Sequence, residues 1–349
     1  MRYDQLYQEP TPPSPLWRRI GKLLLCLLLV AGAISGGLLL LLQPYVVYSR
    51  EGVRLELPKP AQEERNTQEE QAAFSPQSPL PLEEEGGKPL HAVFLPLESL
   101  TQGTAQEDAA QANCDGVIFS MKDPDGNLNY LSQLSLARET GASNGDPARN
   151  EAIRAMNRQE GLYTVAMVSC FRDDRTARAA SDLALRRQSG SAWSDGEELA
   201  WLAPHSREGT EYLIGICREL AALGFDEILL INAGYPTDGE LDQLGADSAP
   251  QDSQAFETIG TFYSSVKQAL AGTETRLGIL TESTVSQSGG NPNSGQSLEN
   301  IAAADRIWQE NAGAALRAAF AQDGADVSRE KVVDIRSSSG EDSLSWALF

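Results

Sequence analysis

The sequence predicts an α/β protein in which a (β/α)8 TIM-barrel-like domain lies behind one transmembrane helix. Three observations favour this fold class. Residues 23–42 carry no charge, residues 58–89 are rich in Pro and Glu, and from residue 90 short apolar runs alternate with helical segments. Such alternation is typical of repeated βα units. Because the units approach eight, a barrel is favoured over an open doubly wound sheet, although the short final units leave open a barrel truncated at the C-terminus.

The chain from residue 90 divides into predicted strands and helices. Strands are expected from the apolar runs at residues 91–95, 116–121, 163–170, 227–231 and 277–281, with shorter candidates at 306–308, 332–335 and 343–349. Helices are expected from the amphipathic pattern at residues 107–112, 150–159, 207–223 and 256–270. In such a barrel the functional side chains lie at the carboxyl ends of the strands.

The run at residues 23–42 is long enough to cross a hydrocarbon core of ~30 Å as a helix. A cleaved signal peptide is the alternative, but the polar lead-in is long and the small residues lie in the middle of the run. Arg18, Arg19 and Lys22 crowd the first flank, which places residues 1–22 in the cytoplasm. We therefore expect a single-pass protein of the cell membrane with an extracytoplasmic C-terminal domain.

Residues 43–89 are predicted to be a juxtamembrane segment and a stalk. The stalk has little that could form a core, and its prolines are scattered among Glu, Gln and Ser at Pro58, Pro60, Pro76, Pro79 and Pro81. Charged, proline-bearing chain of this kind stays extended. The stalk would hold the domain of residues 90–349 away from the lipid surface.

The composition excludes several classes of function. A formal net charge of -21 argues against nucleic acid, whose phosphates need clustered Lys and Arg. His91 and His205 are the only histidines, so we expect neither a metal site nor a cofactor. Cys114, Cys170 and Cys217 have no spacing typical of zinc sites or disulfide frameworks, and we expect them to be small buried hydrophobic residues.

Five segments resemble a known family. Residues 115–126 (DGVIFSMKDPDG) are similar to V-I-D-V-K-D-x-x-G, and residues 163–173 (YTVAMVSCFRD) to Y-V-I-A-R-I-V-V-F-K-D. Residues 201–204 (WLAP) and 224–236 (GFDEILLINAGYP) are similar to W-V-N-P and G-F-D-E-I-Q-F-D-Y-V-R-F-P, and residues 294–296 (SGQ) to a later I-G-Q block. The chain thus resembles, over about residues 90–349, bacterial glycoside hydrolase-like TIM-barrel domains of unknown function. The resemblance implies a membrane-displayed domain that acts on carbohydrate.

The chain departs from the family pattern at four positions near the ends of three predicted strands. Ser120 and Ile231 stand where the family has Asp, and Met167 and Gly234 where it has Arg. Glycoside hydrolysis ordinarily needs two carboxyl groups beside the scissile bond. The resemblance therefore implies a degenerate hydrolase that binds a cell-surface glycan or a protein partner. The alternative is an active hydrolase with a relocated acid pair.

Three carboxylates are the candidate catalytic groups. Glu282 follows the fifth predicted strand, although a helix cap would also explain it. Asp123 follows the second strand within a sequence that also suits a turn, and Asp173 follows the third. The candidate substrate-binding residues lie at the same predicted strand ends or bring aromatic and polar groups near them: Lys122, Asp125, Arg172, Trp201, His205, Asn232, Tyr235 and Glu310.

Overall fold

Eight parallel strands close into a barrel in the computed structural model, which describes residues 46–49, 52–55, 88–249, 252–311, 313–322, 330–341 and 343–349. The strands are β1 (His91–Phe94), β2 (Gly116–Lys122), β3 (Tyr163–Ser169), β4 (Glu227–Ile231), β5 (Arg276–Leu280), β6 (Arg306–Glu310), β7 (Val332–Arg336) and β8 (Trp346–Leu348). Each strand pairs with the next, and β8 closes the ring because Trp346 pairs with His91. The predicted barrel is confirmed, and it is complete rather than truncated.

Helices alternate with these strands around the barrel. They are α1 (Leu97–Gln102), α2 (Ala105–Gln111), α3 (Ser135–Glu139), α4 (Pro147–Met156), α5 (Asp174–Ala179), α6 (Arg207–Ala222), α7 (Asp252–Leu270), α8 (Ser283–Ser288), α9 (Leu298–Ile301) and α10 (Gly313–Gln322). Helix α6 shows how the sequence sets these elements. Ser206 caps its first turn by accepting from the Gly209 N–H, and Leu213, Ile216 and Leu220 form its fully buried face.

Two hydrophobic layers hold the barrel together. One fills the barrel interior and is built from alternate residues of the strands, among them Ile118, Val165, Leu229, Trp308 and Val333, all fully buried. The other lies between the barrel wall and the helices. Since strand side chains alternate between the two sides of a sheet, each strand contributes to both layers.

A buried polar network closes the amino end of the barrel. The Glu227 carboxylate accepts hydrogen bonds from Arg306 Nη1 at 2.8 Å, Trp308 Nε1 at 2.7 Å and Tyr163 Oη at 3.0 Å. A Cβ on Gly278 would lie 2.3 Å from Glu227 Oε1, so this strand position has room only for glycine. The placement agrees with the rule that polar residues at this end of a TIM barrel support stability.

The predicted tail, transmembrane run and most of the stalk lie outside the described residues. Within the 43–89 segment, the backbone of Val46–Ser49 pairs antiparallel with that of Gly52–Leu55. None of the helices that the structure describes is long and apolar enough to span a membrane.

Candidate functional site

A cleft of about 870 Å³ opens at the carboxyl ends of β3 to β6. We call it the mouth cleft, and it is defined by the residues that line it: Arg172, Asp195, Glu197, Trp201, Asn232, Ala233, Gly234, Tyr235, Thr237, Asp238, Leu280, Thr281, Glu282, Ser283, Thr284, Asn291, Asn293, Gln296, Glu310 and Asn311. Its position is the one where TIM barrels carry their functional residues. Its volume lies within the usual range of about 300–1,000 Å³ for small-molecule sites.

Apolar side chains lie where the barrel interior meets the mouth cleft. Met167, Ile231 and Leu280 are partly buried and pack on the interior layer, and Leu280 also lines the cleft. Two of these residues, Met167 and Ile231, occupy positions at which the resembling family has Arg and Asp. The upper end of the barrel interior, at the carboxyl ends of the strands, is therefore apolar at positions where the family has ionisable side chains.

One wall of the mouth cleft is an ion-pair cluster around Arg172. Its Nε donates to Asp195 Oδ2 at 2.6 Å and its Nη2 to Glu197 Oε2 at 3.0 Å, while Trp201 Nε1 donates to the same Asp195 oxygen at 2.8 Å. Burial tends to raise the pKa of Asp195, but the hydrogen bonds from Arg172 and Trp201 outweigh it and hold that pKa below its usual value. Arg172 is the only cation among the described residues that line the cleft, and two carboxylates occupy it.

Two further carboxylates face the mouth cleft from adjacent strands. Leu280 of β5 pairs with Trp308 of β6. Glu282 lies two residues after Leu280, and Glu310 lies two residues after Trp308. Glu282 has extended backbone and precedes α8, but its side chain makes no capping bond; it accepts instead from Asn291 Nδ2 at 2.6 Å. Adjacent strands lie about 4.8 Å apart, so the two carboxylates project from neighbouring backbone positions.

Asparagines in left-handed backbone conformations follow β4 and β6. Asn232 has φ 47° and Asn311 has φ 50°, and both line the mouth cleft. Asn232 Nδ2 donates to Ser169 Oγ at 2.9 Å, which ties the ends of β3 and β4 together. Such backbone is sparsely populated by residues other than glycine and clusters at functional sites.

The loop after α8 covers the position at which the resembling family has its second Arg. Tyr235 N–H donates to the Ser294 carbonyl at 2.9 Å, and a Cβ built on Gly234 would lie only 2.6 Å from that oxygen. Any side chain at position 234 therefore requires this loop to move. The glycine and the loop form one packed unit.

Six of the eleven predicted site residues line the mouth cleft. They are Arg172, Trp201, Asn232, Tyr235, Glu282 and Glu310. His205 is exposed and lies beside the cleft, where its Nδ1 is 3.5 Å from Tyr235 Oη.

The other four predicted residues lie away from the cleft. Lys122 and Asp173 are fully buried and form an ion pair of 3.0 Å, and Lys122 Nζ also donates to the Ser169 carbonyl at 2.7 Å. Asp123 closes a turn by accepting from the backbone N–H and side-chain amide of Asn127, and exposed Asp125 lies in the same turn. Lys122 and Asp173 thus form an ion pair in the core, and Asp123 and Asp125 belong to the turn that the sequence also suits.

Sequence reasoning missed several carboxylates of the mouth cleft. Asp195 and Glu197 belong to the segment SDGEE at residues 194–198, two residues before the WLAP block, and Asp238 follows β4. The turn-forming composition of SDGEE, between Trp193 and Trp201, was the available signal. Among the described residues, no group of three or more His, Cys, Asp or Glu side chains has an arrangement that would hold a metal ion.

Comparison with known families identifies the domain. Residues 99–307, more than half of the chain, match the model of a family described as "Putative glycosyl hydrolase domain". The chain belongs to this family. No curated protein matches the sequence.

Solved structures with the same fold include glycoside hydrolases. The glycoside hydrolase domain of PgaB (BpsB) from Bordetella bronchiseptica superposes with a TM-score of 0.52 at 11% identity, covering 75% of this chain and 93% of that one. A hypothetical protein from Ruminiclostridium thermocellum ATCC 27405 gives a TM-score of 0.45 at 22% identity, covering 53% of this chain and 96% of that one. At these identities the likeness concerns the fold alone.

Proposed function

We propose that this glycosyl hydrolase-like domain binds a glycan in the mouth cleft and has little or no hydrolytic turnover. The observation that carries the proposal is the loss of ionisable groups at the upper end of the barrel interior. Ile231 and Met167 are apolar there, and the Ser294 carbonyl fills the space beside Gly234.

The lining of the mouth cleft supports binding of a sugar chain. Trp201 and Tyr235 each present a narrow aromatic edge to the cleft, being 7% and 6% exposed, and their polar atoms already have hydrogen-bonding contacts within the protein. Amides and hydroxyls complete the lining, and these groups suit the donor and acceptor pattern of sugar hydroxyls. The amides are Asn232, Asn291, Asn293, Gln296 and Asn311.

Binding and turnover can be measured together. The full-length protein, purified in mild detergent, is applied to a broad glycan array and assayed in parallel for release of reducing ends. We expect retention on at least one glycan class with cleavage near background. Trp201→Ala should reduce retention by about tenfold or more, since a buried aromatic contact is lost. A complete lack of retention would contradict glycan binding and favour the alternative ligand, a protein partner.

A second candidate function rests on Glu282 and Glu310. Their neighbouring positions on β5 and β6 suit a pair of carboxyl groups about 5 Å apart, the separation used by retaining glycosidases. If cleavage is observed, both Glu282→Gln and Glu310→Gln should abolish it while the protein stays folded. Cleavage that survives both substitutions would exclude this pair.

We also propose that residues 23–42 anchor the protein in the cell membrane, with the domain outside the cytoplasm. The charge-free run and the basic cluster of Arg18, Arg19 and Lys22 support this topology. Protease added to intact cells should then release the domain by cutting between residues 58 and 89. Full protection of the domain in such cells would reverse the orientation.

A further inference from the structure

The mouth cleft carries an excess of negative charge that the rest of the chain does not match. The described residues of its lining include five carboxylates and one guanidinium, whereas the whole chain has 49 acidic and 28 basic residues. The carboxylates come from four separate segments, the loop before α6 and the ends of β4, β5 and β6: Asp195, Glu197, Asp238, Glu282 and Glu310. The charge is therefore spread along the cleft instead of being gathered at one point.

The single guanidinium is not available to an anionic ligand. Arg172 is held by Asp195 and Glu197 through its Nε and Nη2 atoms, and its side chain is only 17% exposed. A uronic acid or a phosphorylated sugar would thus meet uncompensated carboxylates and find no free cation in the lining. Like charges brought together in this way oppose binding.

Three of the five carboxylates in the mouth cleft, Asp238, Glu282 and Glu310, have no cationic partner among the described residues, and the last two follow adjacent strands. Glu282 accepts only from neutral donors, the Asn291 amide and, at 3.3 Å, the Thr284 hydroxyl. Glu310 is exposed at the end of β6, and its side chain makes no hydrogen bond or ion pair within the described ranges. Both are free to accept charge-assisted hydrogen bonds from a ligand.

We propose that the mouth cleft selects amine-bearing glycans, in which some sugar amino groups are free and protonated, over neutral and anionic ones. This inference rests on the proposed glycan-binding function and names the substrate class of that same cleft. An ammonium group brings three donors and one positive charge, which matches a carboxylate such as Glu282 or Glu310. Trp201 and Tyr235 would contact the sugar rings, and the carboxylates would bind the ammonium groups.

The test compares two ligands that differ only at nitrogen. Binding of a glucosamine pentasaccharide and of the same pentasaccharide fully N-acetylated is measured by titration calorimetry with the full-length protein in detergent. We expect the amine form to bind with an affinity about tenfold or more higher, since one charge-assisted hydrogen bond is sufficient for a change of this size. The difference should shrink at 0.5 M NaCl, because salt screens exposed charges.

Substitutions assign the preference to the mouth cleft. Glu310→Gln and Glu282→Gln should each reduce the preference for the amine form by about fivefold to tenfold. Glu107→Gln removes an exposed carboxylate on α2, outside the cleft, and should leave the preference unchanged. Equal binding of the two pentasaccharides, or tighter binding of the N-acetylated form or of an oligogalacturonate, overturns amine selection and leaves glycan binding intact. Failure of every glycan to bind overturns both proposals.

Discussion

The two ends of the barrel differ in how far their carboxylates are compensated by cationic partners. At the amino end, Glu227 is fully buried, and three donors, including the Arg306 guanidinium, satisfy its carboxylate. At the carboxyl end, Glu282 and Glu310 face an open cleft without a cationic partner among the described residues. Compensated charge is thus found at both ends, since Lys122 and Asp173 form a buried ion pair at the carboxyl end as well. Uncompensated charge is left for a ligand at the carboxyl end.

The comparison also separates the family motif into parts with different roles. The segment GFDEI of residues 224–228 supplies the structural carboxylate Glu227, whereas residues 231–235 reach the mouth of the barrel. This chain keeps the resembling pattern at the first part and departs from it at the second. Loss of ionisable groups at the mouth is thus compatible with an intact barrel.

Breaking the amino-end network should have the largest effect on stability. Glu227→Leu leaves the Arg306 guanidinium buried without its carboxylate, which should lower the free energy of unfolding by about 3–5 kcal/mol. Glu282→Leu, at the open end, should change it by less than about 1 kcal/mol. Chemical denaturation of the full-length protein, monitored by circular dichroism, measures the free energy of unfolding of both variants.

A double substitution sharpens this test. Replacing both Glu227 and Arg306 by Leu removes the charge pair as a whole, so much of the lost stability should return. If the double variant is as unstable as the sum of the single ones, the ion pair is not the reason for the loss.

Substitution by aspartate at two depths of the barrel should lower the free energy of unfolding by different amounts. Ile231→Asp restores the family's acid at the partly open mouth and should cost about 1–3 kcal/mol. Leu229→Asp lies two residues deeper on the same strand, fully buried in the interior layer, and should cost more than about 4 kcal/mol. Thermal unfolding of both variants gives the comparison, and equal costs would show that the mouth is as closed as the interior.

Most strands of the barrel were predictable because they are short apolar runs bounded by polar turns. Residues 227–231 were predicted as a strand and form β4, Glu227–Ile231. Closure was not predictable, since β8 has only three residues and its place is set by pairing with β1. The start of α4 was placed three residues too late, although Asp146 caps it and Pro147 is its first residue.

The candidate site was predictable where it follows directly from a strand end. Arg172, Asn232, Glu282 and Glu310 were found in this way, and all line the mouth cleft. Lys122 follows the same rule and yet is buried, because the register of β2 shifts between Ser120 and Lys122. A bulge of this kind re-aims the side chains that come after it, and the sequence pattern carries no sign of it.

The Arg172 wall should loosen at acidic pH. The pKa of Asp195 is held below its usual value, so this carboxylate contributes stability above its unfolded-state pKa of about 3.9, and the contribution is lost as pH falls through the folded-state pKa. At neutral pH, Asp195→Asn should lower stability by about 1 kcal/mol. The stabilities of the native protein and the variant should begin to converge below about pH 4 and become equal only below the folded-state pKa. Tryptophan fluorescence reports the change through Trp201, and a constant difference down to pH 2 would contradict it.

The smallest effect is expected from thiol reagents. Cys114, Cys170 and Cys217 are free and buried, as the sequence predicts. Burial raises the pKa of Cys114 to about 11 and that of Cys217 to about 12, and it raises that of Cys170 as well. Iodoacetamide at pH 8 should therefore leave all three unmodified in the native protein and modify them after unfolding. Peptide mass spectrometry resolves each site, and fast native labelling of any one would show that its surroundings open.

The contact between Gly234 and the Ser294 carbonyl also bears on how this scaffold can be redesigned. An Arg at position 234, as in the family pattern, would meet the backbone 2.6 Å from its own Cβ, so it is disfavoured until the neighbouring loop has changed. Introducing it therefore needs two steps in a fixed order, first a remodelled or shortened loop and then the larger side chain. A designer who wishes to place the family's Arg in this barrel should begin at residues 290–297.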